Sequence, residues 1–205
     1  MRISRNYGQI IEKSFYEPRP DIVAKKILGK ILLRIEGDIL MGGMITEVEA
    51  YFGPEDPASR ASKKGWIGEA MKRDPGYTLV YMVHGYWLLN IVTTLGGAGA
   101  VLIRGIEPLI GIEHMRRYRG VFKKNILTSG PGRLTRALNI TKELDNIPVY
   151  NVESCIQILD YLDIDEYDIE RSHRIGVSKD LHEPYRFYIK SFIDKGLTID
   201  KGLRH

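Results

Sequence analysis

The sequence predicts an α+β protein: a single compact domain over residues 1–205, with a mainly antiparallel curved β-sheet and flanking helices. Three observations carry this expectation. Runs that alternate apolar and polar residues recur along the chain and read as strands. Several successive runs are separated by short glycine-containing turns, as in hairpins. Helical periodicity is confined to short stretches, and no internal repeat, low-complexity tract or linker divides the chain.

The elements follow in order. Arg19-Pro20-Asp21 opens a short helix, because proline suits a first helical turn; the helix runs through Lys26 and stops near Gly29. Lys30 to Ile35 and Ile39 to Tyr51 read as strands joined at Glu36-Gly37-Asp38. Asp56 to Gly76 mixes polarities around three glycines and two prolines and is expected to be loop with one helical turn. Thr78 to Trp87 reads as strand, tight turn and strand, with His84-Gly85 at the turn and Asn90 further along the return strand. A glycine-rich loop, Leu95 to Ala100, leads into a strand from Val101 to Glu107. Pro108 is expected to start a helix reaching about Tyr118, with Ile110, Glu113, His114 and Arg117 at helical spacing. Ser129-Gly-Pro-Gly-Arg133 is a glycine loop entering a helix that ends near Leu138. Val152 to Leu159, Ile169 to Val177 and Tyr185 to Phe192 are further expected strands.

At 205 residues the chain can bury a proper core in one domain. Hydrophobic residues at 43% and charged residues at 27% are ordinary for a soluble globular protein. No apolar run reaches the length of a membrane span, and Met-Arg-Ile-Ser-Arg-Asn at the start lacks a secretory apolar core. One cysteine, Cys155, excludes an internal disulfide, fits a reducing cytoplasm and reads as a small core residue. The net charge of +4 permits nucleic-acid binding. Its distribution says more: Met115 to Lys124 holds five cations and two aromatics, and a second basic cluster spans Arg60 to Lys64.

Ile45 to Tyr51, Ile-Thr-Glu-Val-Glu-Ala-Tyr, concentrates the chemistry. Strand alternation puts Glu47, Glu49 and Tyr51 on one face, just before a loop broken by Gly53, Pro54 and Pro57. A carboxylate and a tyrosine at a loop mouth suit a pocket for a flat, uncharged ring. The alternative is an exposed face with two solvated glutamates. Arg104 lies in the middle of an apolar strand. It is either buried against a carboxylate on a neighbouring strand, with Glu49 a good candidate, or solvated on an edge strand.

These residues carry a resemblance. The chain resembles the alkyladenine DNA glycosylase family, the mammalian type of 3-methyladenine DNA glycosylase. The matching segments are Glu47 to Asp56 (Glu-Val-Glu-Ala-Tyr-Phe-Gly-Pro-Glu-Asp), Tyr81 with Gly85 and Asn90, and Leu102 to Leu109. Ser129 to Leu134, Arg174 to Val177 and Pro184 to Tyr188 complete them, in family order. The resemblance implies an enzyme that flips a damaged purine (hypoxanthine, or an alkylated or etheno-purine) from double-stranded DNA and hydrolyses its N-glycosidic bond. It implies Glu49 as the general base, with Arg104 and the backbone carbonyl of Ile175 holding the attacking water. Tyr51 would stack on the base, Tyr81 would meet it from another side, and Asn90 would screen against the amino group of guanine. It implies no metal or organic cofactor, an abasic product, and a monomer in the cytoplasm, associated with the nucleoid.

Elementary chemistry agrees with this reading. Cleaving a purine from C1′ develops oxocarbenium character, which a carboxylate stabilises while it deprotonates water. Arg104 beside Glu49 is expected to favour its ionised form. Two positions depart from the family pattern. Arg60 stands where the family usually places a pocket histidine, and its fixed charge should favour neutral lesions over cationic ones. His84 stands where the family usually places the tyrosine that wedges into the duplex. The rivals are a non-catalytic nucleic-acid-binding module and a helix-hairpin-helix glycosylase built on Gly130 to Thr135. The chain is too strand-rich for the second, and no catalytic aspartate follows at a suitable distance. A metal enzyme is not expected, since His84, His114, His173, His182 and His205 lack ligand spacing.

Overall fold

A computed structural model of the chain describes residues 8–190. One antiparallel sheet dominates it. The strands are β1 (Ile31–Glu36), β2 (Ile39–Tyr51), β3 (Thr78–Val83), β4 (Tyr86–Val92), β5 (Ala100–Ile110), β6 (Ile156–Leu159), β7 (Ile169–Ser172) and β8 (Arg186–Ile189). The α-helices are α1 (Pro20–Ile27), α2 (Trp66–Ala70), α3 (Ile112–Arg119) and α4 (Pro131–Ala137). The sheet order is β3-β4-β5-β2-β1-β6, and β8 joins β2 and carries β7.

β2 is the spine. Its first half pairs with β1, Glu47 to Glu49 pair with β8, and its other edge pairs with β5 along most of its length. Gly42 and Gly43 allow the close approach this requires. A Cβ on Gly42 would lie 2.4 Å from the Leu32 carbonyl oxygen, and one on Gly43 would lie 2.0 Å from that of Glu107. Register shifts at Gly42/Gly43 and on both sides of Glu47 bend the strand pair. Glu47 faces Gly105 and Val48 faces Ile103, so Arg104 is the residue skipped in the ladder.

Three of the expected boundaries change. Pro108 lies inside β5 and does not start a helix; α3 begins at Ile112, after Gly111 at φ 67°. Proline is tolerated there because it pairs with Gly43 at a register shift, where the ladder is already broken. The last strands are shorter than expected. Chain 173–177 leaves the sheet as Arg174 turns inward and Gly176 adopts φ 76°. Residues 152–155 form a turn, tied by the Ser154 hydroxyl donating to the Pro148 carbonyl at 2.5 Å. The end of the strand expected at Phe192 lies outside the described residues. The β1–β2 and β3–β4 hairpins, α1 and α4 stand where the sequence puts them.

The main core cluster packs helices against the sheet, and a smaller one gathers Ala70, Met71, Leu79, Val92 and Ala100. Val23, Ala24 and Ile27 of α1 and Leu134 and Ala137 of α4 pack with Ile31, Leu33, Ile45, Val48 and Ile103. Cys155, expected in the core, is half-buried at the margin of the main cluster. At the other end of β4, His84 (φ 48°) and Gly85 (φ 80°) form the hairpin tip, both left-handed as a two-residue turn demands.

Candidate active site

β5 and β8 pair along opposite edges of the middle of β2, and the carboxylates that project from it are buried. The Glu47 side chain is 6% exposed and that of Glu49 is 0% exposed. This decides between the two readings of the strand: the glutamates are buried and paired. Arg104 is likewise on a central strand and not an edge. Its Nε donates to Glu47 Oε1 at 2.8 Å, and its Nη1 lies 3.3 Å from Glu49 Oε1. Its expected partner, Glu49, is therefore the more distant of two.

Glu49 is held from three directions. Besides Arg104, the Ile175 amide donates to Oε1 at 2.8 Å, and the Tyr51 hydroxyl donates to Oε2 at 2.8 Å. Burial pushes the Glu49 carboxyl above the usual range. Arg104, the Ile175 amide and the Tyr51 hydroxyl pull it down, and Glu47 adds to the rise. The net direction is up, which corrects the expectation that Arg104 dominates. A raised carboxyl is a stronger base when ionised. Burial, followed by the nearby Glu49 charge, pushes the Tyr51 phenol well above its usual value, so it stays a donor.

Tyr51 is also braced from behind. The Arg174 guanidinium lies 4.6 Å from its ring centroid. That arginine is fully buried. It donates to both oxygens of Asp56, at 2.6 and 2.7 Å, to Asp180, and to the Ala50 carbonyl. Asp56 in turn accepts the amides of Phe52 and Ala58, so the knot ties the loop after β2 to the 173–181 loop. Burial opposes the charge on Asp56, but Arg174 and the two amides outweigh it and hold the carboxyl below its ordinary value.

Of the other expected site residues, Tyr81, Arg60 and Asn90 adjoin Glu49 and Tyr51, whereas His84 lies apart at the hairpin tip. Tyr81 of β3 is half-buried, and the Arg60 guanidinium sits 5.8 Å from its ring centroid. Asn90 of β4 is buried, and its amide donates to the Leu79 carbonyl at 3.1 Å. His84 is exposed at the hairpin tip, flanked by the exposed side chains of Met82 and Tyr86.

A cationic surface adjoins that tip. Gly132 of α4 lies against Tyr86, where a Cβ would come within 2.8 Å of its side chain. Arg119 of α3 and Arg133 and Arg136 of α4 each donate to a main-chain carbonyl, and none has a carboxylate partner among the described residues. Burial and the mutual repulsion of this trio lower the Arg119 pKa. Only part of the basic stretch at 115–124 is unpaired, since Arg116 pairs with Glu113 and Lys124 with Glu107. Lys63 and Lys64 are exposed, as solvated loop residues. A groove of about 670 Å³ lies elsewhere, between Gln9–Phe15, α1 and 160–169, and its Lys25 and Lys30 are already paired with acids.

The sequence reading gave no role to Glu47, Arg174, Asp56 or Arg186. Arg186 carries the same signal as Arg104: a lone arginine in an apolar strand, Tyr-Arg-Phe-Tyr-Ile. Asp56 and Arg174 sit in loops, and nothing local in the sequence joins them.

A buried, basic carboxylate beside aromatic rings can activate water next to a flat ring, and a cationic surface at the β3–β4 hairpin tip suits phosphates. The class this describes is a hydrolase that works on bases of nucleic acid. Comparison with known proteins gives the family. A family model described as methylpurine-DNA glycosylase matches residues 14–192. Among the relatives that bear the name "Putative 3-methyladenine DNA glycosylase" are three from different organisms. One from Aeropyrum pernix is 44% identical over 185 residues, covering 89% of this chain and 90% of the relative. One from Koribacter versatilis is 34% identical, covering 87% and 89%. One from Francisella tularensis subsp. tularensis is 38% identical, covering 83% and 90%. The chain belongs to the methylpurine-DNA glycosylase family. It is a DNA glycosylase, a hydrolase of base-excision repair whose substrate is DNA.

Proposed function

We propose that the protein is a monofunctional, monomeric glycosylase that flips a damaged purine out of duplex DNA and releases it with water activated by Glu49. The observation that carries this is the Glu49 carboxylate: fully buried, held by three donors, and made more basic by its surroundings. As the purine leaves, C1′ gains positive charge. Glu49 stabilises that charge and takes the water proton. Arg104 and the Ile175 amide fix the carboxylate, and the Ile175 carbonyl is the third contact to the water. Tyr51, braced by Arg174, offers its ring to the flipped base, which replaces stacking lost from the duplex. Tyr81 meets the base from another side and Asn90 rejects the guanine amino group. With water as the nucleophile, the product is an abasic site on an intact strand.

Arg60 tunes the choice of lesion. Its guanidinium adjoins Tyr81 and repels a cationic base, so hypoxanthine and etheno-purines are preferred over 7-methylguanine. The test is the ratio of single-turnover rates on hypoxanthine and 7-methylguanine duplexes, in wild type and Arg60→His. The variant is expected to narrow the ratio about tenfold, the loss of roughly one charge contact. An unchanged ratio would place Arg60 outside the pocket.

His84 is the wedge. It sits at the β3–β4 hairpin tip, two residues from Tyr86, which adjoins the Arg119, Arg133 and Arg136 trio. His84→Ala is expected to weaken lesion-duplex binding several-fold while leaving excision from single strands nearly unchanged. Fluorescence of 2-aminopurine beside the lesion reads the flipping directly. Equal flipping in both proteins would transfer the role to Tyr86 or Trp87.

A further inference from the structure

The buried charges around Glu49 form a chain and not a pair. Glu47 Oε1 accepts from Arg104 Nε at 2.8 Å and from Arg186 Nε at 2.7 Å. Arg186 is itself anchored: Nη1 donates to the Ser172 hydroxyl at 2.9 Å, and the guanidinium lies 4.7 Å from the Tyr188 ring centroid. Arg104 thus turns its Nε edge to Glu47 and offers Glu49 only Nη1, at the longer 3.3 Å. An arginine free to choose would grip one carboxylate with two parallel hydrogen bonds. We propose that Glu47, held by Arg186, is a positioning residue that draws Arg104 away from Glu49 and thereby keeps Glu49 basic enough to activate water.

Among the described residues, the charged and titratable groups that face Glu49 come from four elements besides its own strand. On its own strand are Glu47 and the neutral Tyr51. β5 contributes Arg104, and β8 contributes Arg186 through Glu47. The 173–181 loop gives the Ile175 amide, and its Arg174 is offset by Asp56 and Asp180. β3 adds the neutral phenol of Tyr81. Glu47 is the acid that shares a cation with Glu49. The two carboxylates and two arginines balance, so changing one charge must be felt by the other carboxylate.

This inference rests on Glu49 being the base, and its test is the pH profile of two variants with opposite signs. The measured quantity is the single-turnover rate on a hypoxanthine duplex. Glu47→Gln keeps the shape and removes the charge. Arg104 is then free to close on Glu49, so the midpoint of the acid limb is expected to move down by about one pH unit. The plateau rate should fall up to about tenfold, since a weaker base removes the proton less well. Glu47→Asp, which restores the charge, is expected to return the midpoint toward wild type. Arg186→Gln leaves Glu47 leaning on Arg104 alone and removes a cation, so the midpoint is expected to move up. A purely structural role would change stability without these opposite shifts. Wild-type midpoints in both charge variants, or shifts of the same sign, would overturn the inference; if either variant fails to fold, the sign of the other decides. Failure of the underlying reading would look different: excision would survive Glu49→Gln.

Discussion

Glu49→Gln is expected to lower single-turnover excision of hypoxanthine by roughly 10²–10⁴-fold, the range for removing a positioned general base. Affinity for the same duplex should stay within a few-fold. Glutamine keeps the shape and can still accept from the Ile175 amide or Tyr51, so the pocket should persist. It cannot take a proton from water. Measuring release and binding on one preparation separates the two effects. Excision at the wild-type rate would sink the assignment and revive the non-catalytic binding module. In the wild type, activity should fall as pH drops through the Glu49 pKa. That loss should begin at higher pH than for an ordinary glutamate, because burial raises it.

The second large effect concerns stability. Arg174→Met is expected to cost about 3–5 kcal/mol, the usual loss when one partner of a buried ion pair is removed. The Asp56 side chain is completely buried and would be left with a charge that only the Phe52 and Ala58 amides answer. The linked pH effect has a definite sign. Asp56 is held below its ordinary pKa, so its contribution is present above that ordinary value and is lost as pH falls through the depressed folded one. Urea denaturation of both proteins at neutral and acidic pH checks this. Wild type should lose stability on acidification, and the difference from Arg174→Met should shrink. An Arg174→Met protein as stable as wild type would mean that the knot does not hold the two loops. Tyr51 would lose its brace in the same variant, so excision should also fall.

The strand positions of the site were legible because strands report their faces by alternation. Glu47, Glu49 and Tyr51 share a face in the sequence and meet in the structure. The hairpin tip was legible because His84-Gly85 interrupts two apolar runs. Burial was not legible: an exposed and a paired glutamate look alike until the neighbouring strands are known. Nor was the ladder skip at Arg104, which aims its Nε at Glu47. Pro108 pointed to a helix because proline suits a first helical turn, whereas here a broken register admits it to a strand. The Asp56–Arg174 contact joins loops 118 residues apart, and no local pattern records such a pairing.

The most direct measurement follows both products of one reaction. A duplex with a single hypoxanthine is incubated with the protein; released base is quantified by chromatography, and the strand is run on a denaturing gel with and without alkali. The account predicts free hypoxanthine in step with alkali-labile sites, on a strand that stays whole until alkali is added. No released base would contradict glycosidic hydrolysis altogether, and a strand cut before alkali would contradict activation of water by Glu49 alone.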